Sequence, residues 1–333
     1  MRIVILGTGA FAVPAFKRLM LGPYDIAGVV TMPVCNPRGA KTVITPVRRV
    51  ATAAGLEIFD PENINDPVFL PTLHGFQADL LFVCDYGKIL APHVLAATRL
   101  GGINLHGSLL PKYRGAAPIN RALLNGEPTV GVSVIHITPQ LDAGPVVAMS
   151  EPLPVLPEDT AVEIEERLAQ IGAELVVSVL PQFAALLSGN GATPAALPQR
   201  DALATKAPKL KKQDGEIDWR RSAQEIVWQY QALQPWPKIF TWWHRTNASE
   251  SNNPEPIRLI LGRVRVLSNA DVNVADVVPG SVLAVSDAGI MVATGSGVLQ
   301  ILETQPANKK MMPVNAFLCG YHIIPGDRLS DGL

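Results

Sequence analysis

Short apolar runs alternate with segments of helical period through the first half of the chain. Arg2-Ile3-Val4-Ile5-Leu6 is a continuous apolar run closed by glycine, the pattern of a strand buried on both faces. A helix is predicted directly after it, with Pro14 in its first turn and Phe16, Leu19 and Met20 on its apolar face. Further strands are predicted over 26–31, 56–59, 79–84 and 102–106, with helices over 47–55 and 66–75. Residues 108–115 read as a loop and 116–124 as a helix, with Pro118 in its first turn and Gly126 just past its end. Residues 131–137 alternate as a strand, and 146–149 supply a partner. Thr160-x-x-Glu163 is a capping box opening a long helix, whose apolar positions Ile164, Leu168, Ile171 and Leu175 recur at helical spacing. Pro181 is expected to kink or break that helix. Strands alternating with helices predict an α/β domain around a mostly parallel sheet, over residues 1–187.

The pattern then changes. Residues 188–213 are rich in Gly, Pro, Ala and Lys and read as a linker. A helix follows over 222–233. After it come short strand-like pieces at 239–244, 257–267, 280–285, 289–294 and 298–302, separated by turn signals. That pattern suits a small β-barrel in a second domain over 214–333. Trp236, Trp242 and Trp243 are expected in its core.

Composition narrows the functional classes. The 333 residues are 48% hydrophobic and 17% charged, which is ample for two globular cores. A net charge of −1 gives no overall basic footprint, so any nucleic-acid contact must rest on local patches. Cys35, Cys84 and Cys319 are far apart and form no CxxC or Cys/His cluster. No metal site is expected, and a reducing cytoplasm is the simplest compartment. No run reads as long and apolar enough to span a membrane, and the first strand begins at Arg2, leaving no room for a targeting segment. Gly7-Thr8-Gly9-Ala10-Phe11-Ala12 fits a dinucleotide fingerprint, but the second strand ends in Thr31-Met32-Pro33 without the acid that NAD would need. Those small residues are read as serving a tight strand-to-helix turn.

Three polar groups carry the candidate chemistry: Asn104, His106 and Asp142. Asn104 and His106 are two apart, so on a strand they share a face while Leu105 points to the other. An amide can donate to a developing oxyanion. Imidazole can move a proton near neutral pH, and a nearby carboxylate fixes its tautomer. Ser108 has no G-x-S-x-G elbow around it, so a serine hydrolase is not indicated. The trio suits attack by an external nucleophile on a carbonyl. His136, on its own strand, reads as a structural histidine.

The ordered string is more specific than its members. Asn104-x-His106, then Gly107-Ser108-Leu109-Leu110-Pro111-x-Tyr113-Arg114-Gly115-Ala116-Ala117-Pro118, then Leu141-Asp142-x-Gly144, resembles the formyltransferase family that uses 10-formyltetrahydrofolate. Phe11-Ala12-Val13-Pro14, Tyr86-Gly87, Ala207-Pro208-Lys209, Ile217-Asp218-Trp219, Pro235-Trp236-Pro237, Gln305-Pro306-Ala307, Lys309-Lys310-Met311 and Pro325-Gly326-Asp327-Arg328-Leu329 are similar to the branch acting on initiator methionyl-tRNA. The resemblance runs from Met1 to Leu329. It implies a Rossmann-like N-terminal domain, an OB-like C-terminal β-barrel, and formyl transfer from folate N10 to the methionyl α-amino group. Asn104, His106 and Asp142 would be catalytic. Tyr86, Gly87, Ile89, Leu90, Ser108, Leu109, Leu110 and Pro111 would line the folate site. Arg38, Lys41, Lys206, Lys209, Lys309 and Lys310 would contact tRNA phosphates. A cytoplasmic monomer with no membrane contact and no metal is expected. Val34, Cys35 and Asn36 stand where the family carries more polar residues, and Asp85 stands where a small one is expected. A sugar-nucleotide formyltransferase using the same donor is the alternative. A protein that binds folate or tRNA without catalysis is disfavoured by the complete trio.

Overall fold

The computed structural model describes residues 1–34, 44–189, 191, 194–245, 255–267 and 276–330. Arg38, Lys41 and Cys35 lie outside these described residues. The chain divides into two units. One holds 1–119, 128–155 and 163–209, and the other holds 120–127, 156–162 and 210–333.

In the first unit, β1 (Arg2–Gly7), β2 (Asp25–Val30), β3 (Ile58–Phe59), β4 (Leu80–Cys84) and β5 (Gly102–His106) run parallel. The helices α1 (Val13–Leu21), α2 (Pro46–Ala53), α3 (Leu70–Gly75) and α4 (Pro92–Leu95) lie between them in sequence. The helix α5 (Pro118–Leu124) and the short strand β6 (Thr129–Val130) follow β5. Then β7 (Ser133–His136) and β8 (Val146–Met149) turn the sheet antiparallel at one edge. The resulting order is β3-β2-β1-β4-β5-β7-β8. The strand β9 (Leu153–Pro154) pairs with β6 outside it. Neither β6 nor β9 was expected, and nor was α4, because segments this short show no period.

The apolar run of β1 is buried on both faces, with Ile3, Val4, Ile5 and Leu6 fully enclosed. On one face, Val4, Leu6, Leu81 and Val83 pack with Leu73, Phe76 and Val94. On the other, Phe16 of α1 meets Phe82 edge-on, with ring centroids 5.6 Å apart. Leu105 faces the helix α6 (Ala161–Leu187) on that same side: a Cβ on Gly172 would come within 2.7 Å of its Cδ2. The expected helix at 66–75 is a 3₁₀ turn (Pro67–Phe69) running into α3, shaped by Pro67 and Pro71 and opened by the Asp66 side chain on the Val68 N–H.

Two expectations about α6 are corrected. It continues through Pro181 to Leu187, because Val176, Val179, Leu180 and Phe183 are buried on either side of the proline and hold the helix to the sheet. By length and composition α6 is also apolar enough to cross a membrane. Its apolar stripe lies in the core of the unit, and it carries Glu163, Glu165, Glu166, Arg167 and Glu174.

The second unit takes in most of α5, and its later part holds α7 (Ala223–Ala232), capped by Ser222 and Glu225 in a reciprocal box. Its strands are β10 (Ile239–His244), β11 (Ile257–Leu261), β12 (Val264–Leu267), β13 (Val282–Ser286), β14 (Gly289–Ala293), β15 (Val298–Ile301), β16 (Glu303–Pro306), β17 (Met312–Pro313) and, after the helix α8 (Val314–Leu318), β18 (Arg328–Ser330). They form two sheets, β17-β16-β11-β10-β18 and β12-β15-β14-β13. The strand expected over 257–267 breaks at Gly262, so that β11 and β12 enter different sheets. Backbone bonds from Val282 N to Asp327 O and from Leu329 N to Gly280 O tie the sheets at a second place. Trp243 is buried as expected, with its indole N–H donating to Asp327 at 2.9 Å. Trp236 is 54% exposed and corrects its expected burial. It stands between two prolines, which have no N–H to enter a ladder.

Candidate active site

The trio is positioned by the edge where the sheet changes direction. The strand β5 pairs with β4 on one side and β7 on the other, with Asn104 beside Val83 and Ile135, and His106 beside Ser133. Asn104 and His106 therefore share one face at the carboxyl end of β5, where ligands of open α/β sheets bind. His106 is buried and Asn104 half-buried.

Asp142 arrives on the turn before β8. Its Oδ2 lies 3.6 Å from His106 Nδ1, and its side chain is 11% exposed. The other ring nitrogen, Nε2, is 2.9 Å from the Tyr113 carbonyl. A carbonyl only accepts, so Nε2 carries the hydrogen, and Nδ1 is the nitrogen left to exchange a proton beside Asp142. The Asp142 carboxylate also accepts the Gly115 N–H at 2.9 Å. Gly115 has φ 134, and a Cβ there would sit 2.4 Å from the Ala207 carbonyl oxygen. Only glycine fits that position.

The loop carrying Tyr113 and Gly115 is braced from the segment expected to be a linker. Tyr113 N–H donates to Thr205 Oγ1 at 2.8 Å, Arg114 N–H to Thr205 O at 2.8 Å, and Ala207 N–H to Arg114 O at 2.7 Å. Gln199 donates to the carbonyls of Asp142 and Gly144, and Arg114 donates to Gln199. These backbone and amide partners were missed from sequence. The Arg114-Gly115 pair was a visible signal, but Gln199 and Thr205 carried none.

The residues expected at the folate site separate into two groups. Tyr86 and Leu90 are drawn into the core beside Leu6 and Val83. Burial pushes the Tyr86 phenol up to about 12, and its buried hydroxyl has no partner among the described residues. Gly87 and Ile89 are exposed. Ser108 is buried and donates to Lys112 O at 2.7 Å, while the Ser133 hydroxyl donates to Ser108 O at 2.7 Å. Leu110 packs with Ile135 and Val146, and Leu109 and Pro111 are half-buried. Of the expected tRNA contacts, Lys206, Lys209, Lys309 and Lys310 are exposed, the last two on the turn between β16 and β17. His136 stands apart from the trio against Phe183, with centroids 5.6 Å apart, and burial lowers its pKa.

A second acidic corner lies at the end of the neighbouring strand β4. Asp85 follows β4 with φ 51, and its carboxyl accepts the Gly9 N–H. Burial, then the nearby Glu165 carboxylate, push Asp85 up to about 6. Burial and Glu166 raise Glu165 in turn. A cavity of about 380 Å³ opens beside Glu165, lined also by Ala10, Phe11, Pro14, Glu166 and Gln170. It lies between α1 and α6, which cover the sheet face opposite Asn104 and His106. Among the described residues there is no metal-ligating cluster.

Two family models match the chain: formyl transferase over residues 1–180 and formyl transferase C-terminal domain over 209–322. The methionyl-tRNA formyltransferase of Moorella thermoacetica is 39% identical over 330 residues, 99% of each chain. That of Rhodopirellula baltica is 39% identical over 336 residues, covering 99% of this chain and 96% of that protein. Among solved structures, an N-formyltransferase from Helicobacter canadensis, in complex with folinic acid and dTDP-3-aminofucose, matches with TM-score 0.63 and 14% identity over 91% of this chain and 98% of its own. HypX from Aquifex aeolicus in complex with tetrahydrofolic acid matches with TM-score 0.57 and 16% identity, over 98% of this chain and 50% of that one. These two likenesses are of fold.

Proposed function

We propose that in this chain, which belongs to the methionyl-tRNA formyltransferase family, Asn104, His106 and Asp142 carry the chemistry of formyl transfer. The reaction moves a formyl group from 10-formyltetrahydrofolate to the α-amino group of methionyl initiator tRNA. The observation that carries the assignment of residues is the approach of Asp142 Oδ2 to His106 Nδ1, on the same strand face as Asn104.

An α-amino group titrates near 7.7–8.0, so a useful fraction is neutral at physiological pH and can attack the formyl carbon. Charge then gathers on the former carbonyl oxygen. The Asn104 amide donates to it, as an oxyanion hole does. The attacking nitrogen must lose a proton, and the folate nitrogen must gain one to leave. His106 serves both transfers through Nδ1, because its Nε2–H is committed to Tyr113. Asp142 holds the proton on Nδ1, directly after a small closure of the 3.6 Å gap or through one water.

The folate is placed against the carboxyl ends of β4 and β5. Exposed Gly87 and Ile89 and half-buried Leu109 and Pro111 meet it. Tyr86, Leu90, Ser108 and Leu110 form the wall behind them. Lys206, Lys209, Lys309 and Lys310 supply phosphate contacts for the tRNA, with Arg38 and Lys41 retained from sequence. The catalytic domain is taken as 1–187, the linker as 188–213, and the remainder as an OB-like tRNA-binding domain. The protein works as a cytoplasmic monomer.

One incubation tests the reading. Purified protein, 10-formyltetrahydrofolate and methionyl initiator tRNA should yield formylmethionyl-tRNA. Formylation of an amino-sugar nucleotide in its place would overturn the substrate assignment.

A further inference from the structure

We propose that Gln199 is a positioning residue for Asp142, tying the turn that carries the carboxylate to the loop that carries the partners of His106. The inference rests on the reading of Asp142 as the proton-holding group. Gln199 is set in register by a reciprocal pair of backbone bonds two residues earlier: Val146 N–H to Leu197 O at 2.9 Å, and Leu197 N–H to Val146 O at 2.8 Å. That pairing lays the segment alongside the start of β8, so Gln199 reaches the preceding turn.

Both hydrogens of its amide are used there. One goes to Asp142 O at 2.8 Å and the other to Gly144 O at 2.7 Å. The amide oxygen accepts from Arg114 Nε at 3.0 Å. Arg114 also pairs with Asp201 at 2.9 Å, and its backbone is bonded to Thr205 and Ala207. One side chain therefore links the Asp142 turn to the residue lying between Tyr113, which takes the His106 Nε2–H, and Gly115, which donates to Asp142 Oδ2. Asp142 has φ 50, a left-handed backbone that aspartate tolerates but that most side-chain-bearing residues avoid, so its turn gains from an added tie. Glutamate at 199 would set carboxylate oxygens against two carbonyls, and asparagine falls short by a methylene.

The test is steady-state and single-turnover kinetics of Q199A and Q199E, alone and combined with D142N. A carboxylate displaced by about 1 Å costs about 10²-fold in turnover. We expect kcat to fall by about that factor in both single variants, with KM for methionyl-tRNA and for the formyl donor changed by less than about threefold. In the D142N background Q199A should cost less than about twofold more, since there is no carboxylate left to misplace. A purely structural role would give additive losses, and that result overturns the proposal. So does near-normal kcat in both single variants. A Q199 variant that unfolds also counts against it, because the role assigned is placement of one turn, not maintenance of the fold. A fully active D142N enzyme would remove the reading of the site together with this proposal. An impaired D142N enzyme beside unimpaired Q199 variants would remove this proposal alone.

Discussion

Two aspartates at the carboxyl edge of the sheet share a backbone and differ in company. Asp142 and Asp85 have φ of 50 and 51. Each accepts a glycine N–H, from Gly115 and Gly9 respectively. Beyond that they diverge. Asp142 faces an imidazole nitrogen that can hold a proton. Asp85 faces another carboxylate, Glu165, and burial with that like charge pushes it up to about 6. Left-handed backbone alone therefore does not make a site. On the proposed assignment, a carboxylate held there takes part in chemistry where it meets a complementary group.

The largest expected effect tests that difference directly. In D142N the new side chain keeps an oxygen for the Gly115 N–H, so the turn is retained and only the charge is lost. Turnover should fall by roughly 10²–10³-fold, within the usual range for a positioned proton-transfer group. N104A should lose a similar factor, as a missing oxyanion donor does. Single-turnover formylation of methionyl-tRNA measures both. Near-normal turnover in either variant would remove the role assigned to that residue.

The two glycines sharpen the comparison. A Cβ on Gly115 meets the Ala207 backbone oxygen at 2.4 Å, at a φ of 134 that alanine resists. G115A should lose about 2 kcal/mol of stability and roughly tenfold in turnover, because the N–H on Asp142 moves with it. A Cβ on Gly9 meets the Asp85 carboxyl, both its Oδ2 and its Cγ, and no backbone atom among its nearest neighbours. That carboxyl can swing aside, so G9A should keep most of its turnover. Equal losses in the two variants would mean that the Asp85 corner matters to the reaction as much as the Asp142 turn.

Tyr86, next to Asp85, gives a smaller and opposite effect. Its buried hydroxyl has no partner among the described residues, and such a group costs about 1–3 kcal/mol. Y86F should raise the melting temperature by about 2–4 °C per kcal/mol recovered. If KM for the formyl donor also rises severalfold, the hydroxyl touches the folate; an unchanged KM confines Tyr86 to the wall.

The fold was legible where burial imposes a period. The continuous apolar runs of β1 and β4 and the i, i+4 stripe of α6 gave their elements away. Two-residue strands such as β6 and β9 were not legible, since nothing repeats in them. Pro181 misled, because a local rule about proline was outweighed by the buried side chains flanking it. The side chains of the trio could be named from their ordered string. What holds them could not. The Tyr113 carbonyl and the Gly115 N–H are backbone groups, invisible to residue type, and Gln199 reaches Asp142 across 57 positions of sequence. Asp85 was visible as a departure, but its pairing with Glu165 needed the packing of α6.

Desolvation of the Asp85 carboxyl, with the Glu165 charge adding to it, fixes the sign of the smallest effect. An unfolded aspartate titrates near 3.8, whereas the folded Asp85 holds its proton up to about 6. Between those values the folded chain binds more protons than the unfolded one, so stability falls as pH rises through the window. The penalty is fully present above it and absent below. Asp85 as a residue is exposed, even though its carboxyl is crowded by Gly9 and Glu165, and solvent screens the cost to about 1 kcal/mol or less. D85N removes the titration and keeps an oxygen for the Gly9 N–H. It should therefore melt about 2 °C above the parent at pH 7.5, with the gap closing as the pH is lowered toward 4. A gap of constant size across that range would show that the carboxyl is already ionised at pH 4. The contrast between the two aspartates would then rest on His106 alone.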